Sequence, residues 1–248
     1  MTEHTTTKVA LLTGAAKRIG AETARVLHAA GMNIVLHHNS SAALAEALAA
    51  ELNAIRPHSV VTVAFNLKQI EHLPNLAKQA AAAWGRIDLL VNNASTFYPT
   101  EMEQIDLEQW HDLIAVNLQA PLFLSQACSR FLRENNGSIV NIVDIHGDRP
   151  LKGYPIYSIA KAGLIAMTKS LARELAPEIR VNGVAPGAIM WPEVEAYESV
   201  HQEIIDRTAL KREGHPRDIA KTVQFLSNGP DYITGQIIAV DGGRTLSN

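Results

Sequence analysis

Only one cysteine, Cys128, occurs in the 248 residues, which excludes an internal disulfide and any cysteine-rich metal site. No apolar stretch reaches the roughly 20 residues that a helix needs to cross a bilayer. The opening MTEHTTTK is polar and lacks the apolar centre of a signal peptide, so a cytoplasmic location is expected. Charge of one sign is also missing. Lys and Arg number 22 against 25 Asp and Glu, a formal net charge of −3, and no long like-charge run points to nucleic acid. The ten histidines are scattered without an HExxH pattern, so no metal site is expected. Neither a Pro/Gly/Ser linker nor an internal repeat divides the chain.

What is present is an alternation. Apolar residues make up 47% of the chain, enough for a sizeable core. Short β-rich runs at 8–13, 33–37, 60–65, 88–94, 137–143, 179–185 and 236–240 are apolar almost throughout. Between them lie stretches of helical period: 18–30, 44–55, 76–84, about 107–133, 156–176, 193–208 and 216–227. Strands apolar on both faces, each followed by a helix, predict a parallel sheet of about seven strands covered on both sides. Such a doubly wound α/β fold binds ligands at the carboxyl ends of its strands.

The first strand runs directly into Thr13-Gly14-Ala15-Ala16-Lys17-Arg18-Ile19-Gly20, which opens a helix. A glycine turn leading into a helix N-terminus offers backbone N–H groups to a pyrophosphate. Lys17 and Arg18 add positive charge. The second strand ends in His37-His38-Asn39-Ser40-Ser41, with no carboxylate before Glu46. NAD-binding members of this fold place an acid there for the ribose hydroxyls. Its absence, with several groups able to donate to a 2′-phosphate, favours NADPH. Tyr157 and Lys161 are four residues apart and share a helix face. An ammonium beside a phenol is expected to lower its pKa from near 10, making Tyr157 a usable proton donor.

On the glycine turn, Asn92-Asn93-Ala94 and Tyr157-xxx-Lys161, the chain resembles the short-chain dehydrogenase/reductase family. The resemblance spans the chain and implies one Rossmann-like domain over 1–248. It also implies that Asn66 and Leu67 meet the adenine, although the family usually has Asp where Asn66 stands. Gly14, Ile19, Gly20, Asn93, Ala94 and Ser95 would line the dinucleotide. Pro186-Gly187 would lie beside the nicotinamide, Lys161 would hold its ribose, and Asn117 would complete the proton relay. The chain departs from the family pattern at four further places. Arg18 replaces the middle glycine of TGxxxGxG, Ser95 follows Asn-Asn-Ala in place of Gly, and Met190-Trp191-Pro192 replaces the usual Thr after Pro-Gly. Asp144 occupies the position of the catalytic Ser, thirteen residues before Tyr157.

A carboxylate is a poor partner for a carbonyl oxygen but accepts hydrogen bonds from amino and ring N–H groups. Asp144 therefore suits reduction of a C=N bond in a nitrogen heterocycle. Together with Arg18 and Asn93-Ala-Ser-x-Phe97 it resembles the pteridine reductase subgroup. That resemblance implies a pterin stacked on Phe97, contacted by Arg18, Ser95, Asp144 and Tyr157, with Tyr154 and Trp191 beside the pocket. It implies dihydrobiopterin or dihydrofolate as substrate. A 3-oxoacyl thioester reductase and a non-catalytic NADPH-binding sensor are the competing expectations. The apolar faces of the helices at 107–133 and 154–176 predict a homotetramer, by likeness to the family.

Overall fold

The strands are short, mostly apolar runs, and each of the first six is followed by a helix that carries the chain back across the sheet to start the next parallel strand. The structure, a computed structural model, describes residues 7–189, 198–229 and 231–246. Its strands are β1 (Val9–Leu12), β2 (Asn33–His38), β3 (Val60–Ala64), β4 (Leu89–Asn92), β5 (Ser138–Ile142), β6 (Arg180–Pro186) and β7 (Ile237–Val240). All neighbouring pairs are parallel, in the order β3-β2-β1-β4-β5-β6-β7. The order reverses between β1 and β4, and a crevice opens there at the carboxyl ends.

The helices are α1 (Arg18–Ala29), α2 (Ala42–Ile55), α3 (Leu73–Ala82), α4 (Leu107–Ile114), α5 (Ala120–Glu134), α6 (Pro155–Glu174), α7 (Glu198–Asp206) and α8 (Pro216–Asn228). The period-2 alternation of β1 divides the core between them. Ala10 and Leu12 pack with Leu27 of α1, Leu52 of α2 and Val223 of α8. Val9 and Leu11 face the other way, onto Leu76 of α3, Leu124 and Cys128 of α5, and Ala172 of α6. Every residue of β1 is therefore fully buried, which explains its unbroken apolar run.

One expected helix is interrupted. The stretch read as continuous from 107 to 133 contains a π-helical segment, Ala115–Gln119, between α4 and α5. A π segment holds one residue more per turn than an α-helix and turns side chains to new directions. Asn117 sits inside it. The third helix also begins earlier than expected, at Leu73. Of the helix expected at 193–208, the described part is α7; Met190, Trp191 and Pro192 lie outside the described residues. Among the described residues, no helix is long and apolar enough to cross a membrane.

Candidate active site

The glycine turn is held on both sides. Gly14 has φ +61, the left-handed region that glycine enters without cost. A Cβ on Gly14 would lie 2.8 Å from Cα of Ala94, so the first turn and the end of β4 touch backbone to backbone. A Cβ on Gly20 would lie 2.8 Å from Cα of Ala15 and 2.7 Å from Nδ2 of Asn93, so α1 packs directly on the turn. Arg18, at the family's middle glycine position, keeps the left-handed backbone with φ 54. For a residue with a Cβ this costs about 1–2 kcal/mol.

Two residues expected to touch the dinucleotide, His37 and Asn93, line the cleft above the turn and also hold the turn. The Asn93 amide donates to the carbonyls of Thr13 (2.9 Å) and Gly14 (3.0 Å). Oγ1 of Thr13 accepts from the backbone N–H groups of Asn93 (2.9 Å) and Ala94 (3.0 Å). The imidazole of His37 was expected to donate to a 2′-phosphate. Its Nδ1 instead accepts from the Gly14 N–H at 3.1 Å, and its Nε2 bonds the Phe65 carbonyl at 2.9 Å. Both ring nitrogens are thus engaged within the protein. Burial pushes its pKa down to about 4, against a smaller opposing effect of the Phe65 carbonyl.

Above the turn lies a cleft of ≈ 470 Å³. It collects Gly14, Lys17, Arg18, Ile19 and Gly20 from the turn, His38, Asn39 and Ser40 after β2, Asn66 and Leu67 after β3, and Asn93, Ala94 and Ser95 after β4. Ser41, expected as a further donor to a 2′-phosphate, lines it too, as do Ala16, Lys68, Thr96 and Val116, which escaped sequence reasoning. Lys68 had a readable signal, a cation directly after Asn66-Leu67; it pairs with Asp112. Among the described residues that line it, none is Asp or Glu, whereas three are cations. A left-handed glycine turn, a helix N-terminus and an acid-free basic cleft fit an anionic dinucleotide. Asn66 Oδ1 accepts from the Lys68 N–H at 3.0 Å, which directs the loop after β3 along the cleft. Pro186 and Gly187 are not among the residues that line this cleft; they stand at the end of β6, where the Gly187 N–H donates to the Val240 carbonyl at 3.1 Å.

Next to the cleft, the Tyr157 hydroxyl donates to Oδ2 of Asp144 at 2.7 Å. The other oxygen, Oδ1, accepts from the His146 N–H at 2.8 Å and caps the turn after β5. Lys161 is four residues further along α6, but its ammonium donates to the Ile142 carbonyl (3.0 Å) and lies 5.6 Å from the Tyr157 ring centroid. The expected lowering of the phenol pKa is therefore corrected. Burial first, then the charge of Asp144 and its hydrogen bond, hold Tyr157 well above the ordinary value. Ser95 beside it opposes the shift as the smallest contribution. Its hydroxyl donates to Asn117 Oδ1 at 2.7 Å. Burial lowers Lys161 to about 8. The Asn117 side chain is fully engaged. Its amide donates to Thr96 and Leu113 carbonyls at 2.9 Å each, so it ties the π segment to the loop after β4.

Phe97 stacks on Tyr154, with centroids 4.6 Å apart and planes 8° from parallel, and meets Tyr157 edge-on at 4.8 Å. It is 54% exposed, so an aromatic face beside the Tyr157–Asp144 pair remains open. A planar heterocycle laid on that face would have a proton donor and a hydrogen-bond-accepting carboxylate at its edge.

Comparisons with known proteins give the family. The family model described as enoyl-(acyl carrier protein) reductase matches residues 14–245. Pteridine reductase 1 of Leishmania tarentolae is 37% identical, over 100% of this chain and 99% of that protein. The 3-oxoacyl-[acyl-carrier-protein] reductase of Synechocystis sp. is 37% identical over 97% of this chain and 98% of its own length. The corresponding reductase of Staphylococcus epidermidis is 35% identical over 96% and 99%. The chain belongs to the short-chain dehydrogenase/reductase family and is an oxidoreductase that uses NAD(P)H.

Proposed function

We propose that the protein is a cytoplasmic NADPH-dependent reductase of pterins or folates, converting a dihydro form to the tetrahydro form. The observation that carries this reading is the 2.7 Å hydrogen bond from Tyr157 to Asp144. Bound NADPH supplies the hydride. The chain supplies the proton: Tyr157, kept protonated by burial and by Asp144, is the donor to the substrate nitrogen. Asp144 accepts from N–H groups at the heterocycle edge and holds the phenol in place. Phe97 provides the platform, and Arg18 faces the phosphates and the pterin. Ser95 lines the same wall, and Lys161 holds the nicotinamide ribose. Asn117 acts as a positioning group for the loop that carries Ser95 and Phe97.

The preference for NADPH rests on the absence of an acid lining the cleft and on His38, Asn39, Ser40, Lys17 and Arg18 around its far end. Lys68 belongs to the same basic wall. Trp191 is proposed for the substrate pocket from its place in the sequence alone. A homotetramer is supported by half-exposed apolar side chains on α4, α5 and α6, among them Trp110, Leu122, Phe123 and Ile159. Light scattering that returned only monomer would remove that part of the proposal.

The 3-oxoacyl thioester reductase remains the second reading, because two of the relatives named above carry that activity in their names. One experiment separates them: NADPH oxidation followed with dihydrobiopterin, dihydrofolate and a 3-oxoacyl thioester, each repeated with NADH. Turnover of a pterin, abolished in Tyr157→Phe and Asp144→Ala, supports the reading. Turnover of the thioester alone overturns the pterin and leaves the Tyr–Lys chemistry. Tight NADPH binding without turnover of any of the three favours a sensor.

A further inference from the structure

We propose that His37 is a positioning residue for the dinucleotide, acting on the pyrophosphate through Gly14 and touching no part of the cofactor's 2′-phosphate. The inference rests on the dinucleotide reading of the cleft, and is independent of which substrate is reduced.

His37 closes β2 and is 1% exposed. It engages two successive N–H groups of the turn. Gly14 donates to its Nδ1 at 3.1 Å, and Ala15 donates to its backbone carbonyl at 3.0 Å. On its far side, Nε2 meets the Phe65 carbonyl at 2.9 Å, just beyond β3. One residue therefore links the carboxyl ends of β1, β2 and β3 at the edge of the cleft. Only one protonation form satisfies all three contacts. Nδ1 must be bare to accept from Gly14, so Nε2 must carry the proton and donate to Phe65. Burial, which pushes the ring down to about 4, keeps it in that neutral form at ordinary pH.

The consequence lies in the turn. Gly14 sits at φ +61 against Ala94, and Asn93 fixes the opposite side through the Thr13 and Gly14 carbonyls. His37 fixes the N–H side. With both sides held, the N-terminus of α1 is aimed at the cleft before a ligand arrives, and binding requires less ordering. An apolar side chain at position 37 would fill the space. It would leave the Gly14 N–H and the Phe65 carbonyl buried without partners, and the turn would relax toward water.

The test uses three variants of the full chain, with NADPH and NADH dissociation constants measured by calorimetry in the absence of substrate. His37→Asn places an acceptor where Nδ1 stands and retains the bond to Gly14. His37→Gln places its amide where Nε2 stands and retains only the bond to Phe65. His37→Leu retains neither. The expected result is about tenfold weaker binding for Leu and Gln, from roughly 1.4 kcal/mol of lost preorganisation, and a change of about threefold or less for Asn. NADPH and NADH should weaken by the same factor, because the pyrophosphate is common to both. A loss confined to NADPH would overturn the proposal in favour of direct 2′-phosphate contact. Equal affinities for Asn and Gln, or unchanged affinity in a folded Leu variant, would overturn it in favour of simple packing. Should the Leu variant not fold, the Asn and Gln pair decides. Failure of the unaltered protein to bind either dinucleotide would remove the reading underneath, a result distinct from any difference among variants.

Discussion

Replacing Asp144 by Asn tests whether the carboxylate sets the protonation of Tyr157. The phenol is held above its ordinary value by three causes in order: burial, the Asp144 charge and the Asp144 hydrogen bond. The substitution keeps the first and removes the charge. It also reorients the hydrogen bond. Asp144 accepts from both the His146 N–H and the Tyr157 hydroxyl, at 2.8 and 2.7 Å. Asn has only one side-chain oxygen. With that oxygen on His146, its NH2 faces the phenol and donates to it, which favours the phenolate. A hydrogen bond to a charged partner contributes about 1.5–3 kcal/mol against about 1 for a neutral one, so the difference is on the order of 1–2 kcal/mol. That corresponds to a fall of about one pH unit or more in the Tyr157 titration. The assay is the ultraviolet absorbance of tyrosinate against pH, with the same titration of Asp144→Asn/Tyr157→Phe subtracted to isolate this residue. Pterin turnover should fall by about a hundredfold or more, the scale of a misplaced general acid. A titration that stays in place or moves upward would show that Asp144 does not govern the phenol, and the proton-donor argument would fail with it.

Other substitutions probe separate parts of the site. Lys161 is fully buried and lowered to about 8, so its charge destabilises the fold at neutral pH. Lys161→Met should abolish turnover yet stabilise the protein by on the order of 1–3 kcal/mol, after loss of the bond to the Ile142 carbonyl. Between pH 8 and 10.5 the unfolded chain binds more protons at Lys161 than the folded one, so the unaltered protein should close this gap as pH rises; a thermal midpoint lower than wild type at pH 7 would contradict this. Gly20→Ala drives a methyl into Cα of Ala15 and the Asn93 amide, and should cost about 3 kcal/mol in chemical denaturation as well as dinucleotide binding. Asn39→Asp puts an acid at the end of the cleft and should shift the NADPH to NADH preference in kcat/KM by about tenfold or more toward NADH. Unchanged preference would move the 2′-phosphate elsewhere.

The sheet was legible because its central strands are buried on both faces, and short, mostly apolar runs, unbroken in β1, have few other uses. The glycine turn was legible for a related reason: contact with Ala94, Ala15 and Asn93 leaves no room for Cβ. The π segment was not legible. Ala115–Gln119 consists of residues that suit an ordinary helix, and one added residue per turn leaves no mark on an apolar period. The phenol pKa was misread because four-residue spacing puts Lys161 near Tyr157 without saying which oxygen the ammonium bonds. The Ile142 carbonyl, from a different strand, takes it.

The same limit explains the residues assigned to the cofactor that serve the turn. His37 and Asn93 line the cleft and are polar, so each reads as a cofactor contact, whereas Asn117, in the π segment, reads as a member of the proton relay. In the fold these side chains bond backbone: His37 to Gly14 and Phe65, Asn93 to Thr13 and Gly14, and the Asn117 amide N–H groups to Thr96 and Leu113, with its oxygen accepting from Ser95. Loops that line a binding site have backbone groups with no strand or helix to satisfy them, and buried ones must find partners. Polar side chains at the ends of strands meet that need, which is why they concentrate where ligands bind without touching one. The distinction has an experimental signature. A residue that contacts the 2′-phosphate changes the ratio of NADPH to NADH affinity, whereas one that holds the turn changes both affinities and leaves their ratio alone. On this argument Asn39 is expected to be of the first kind, and His37 and Asn93 of the second.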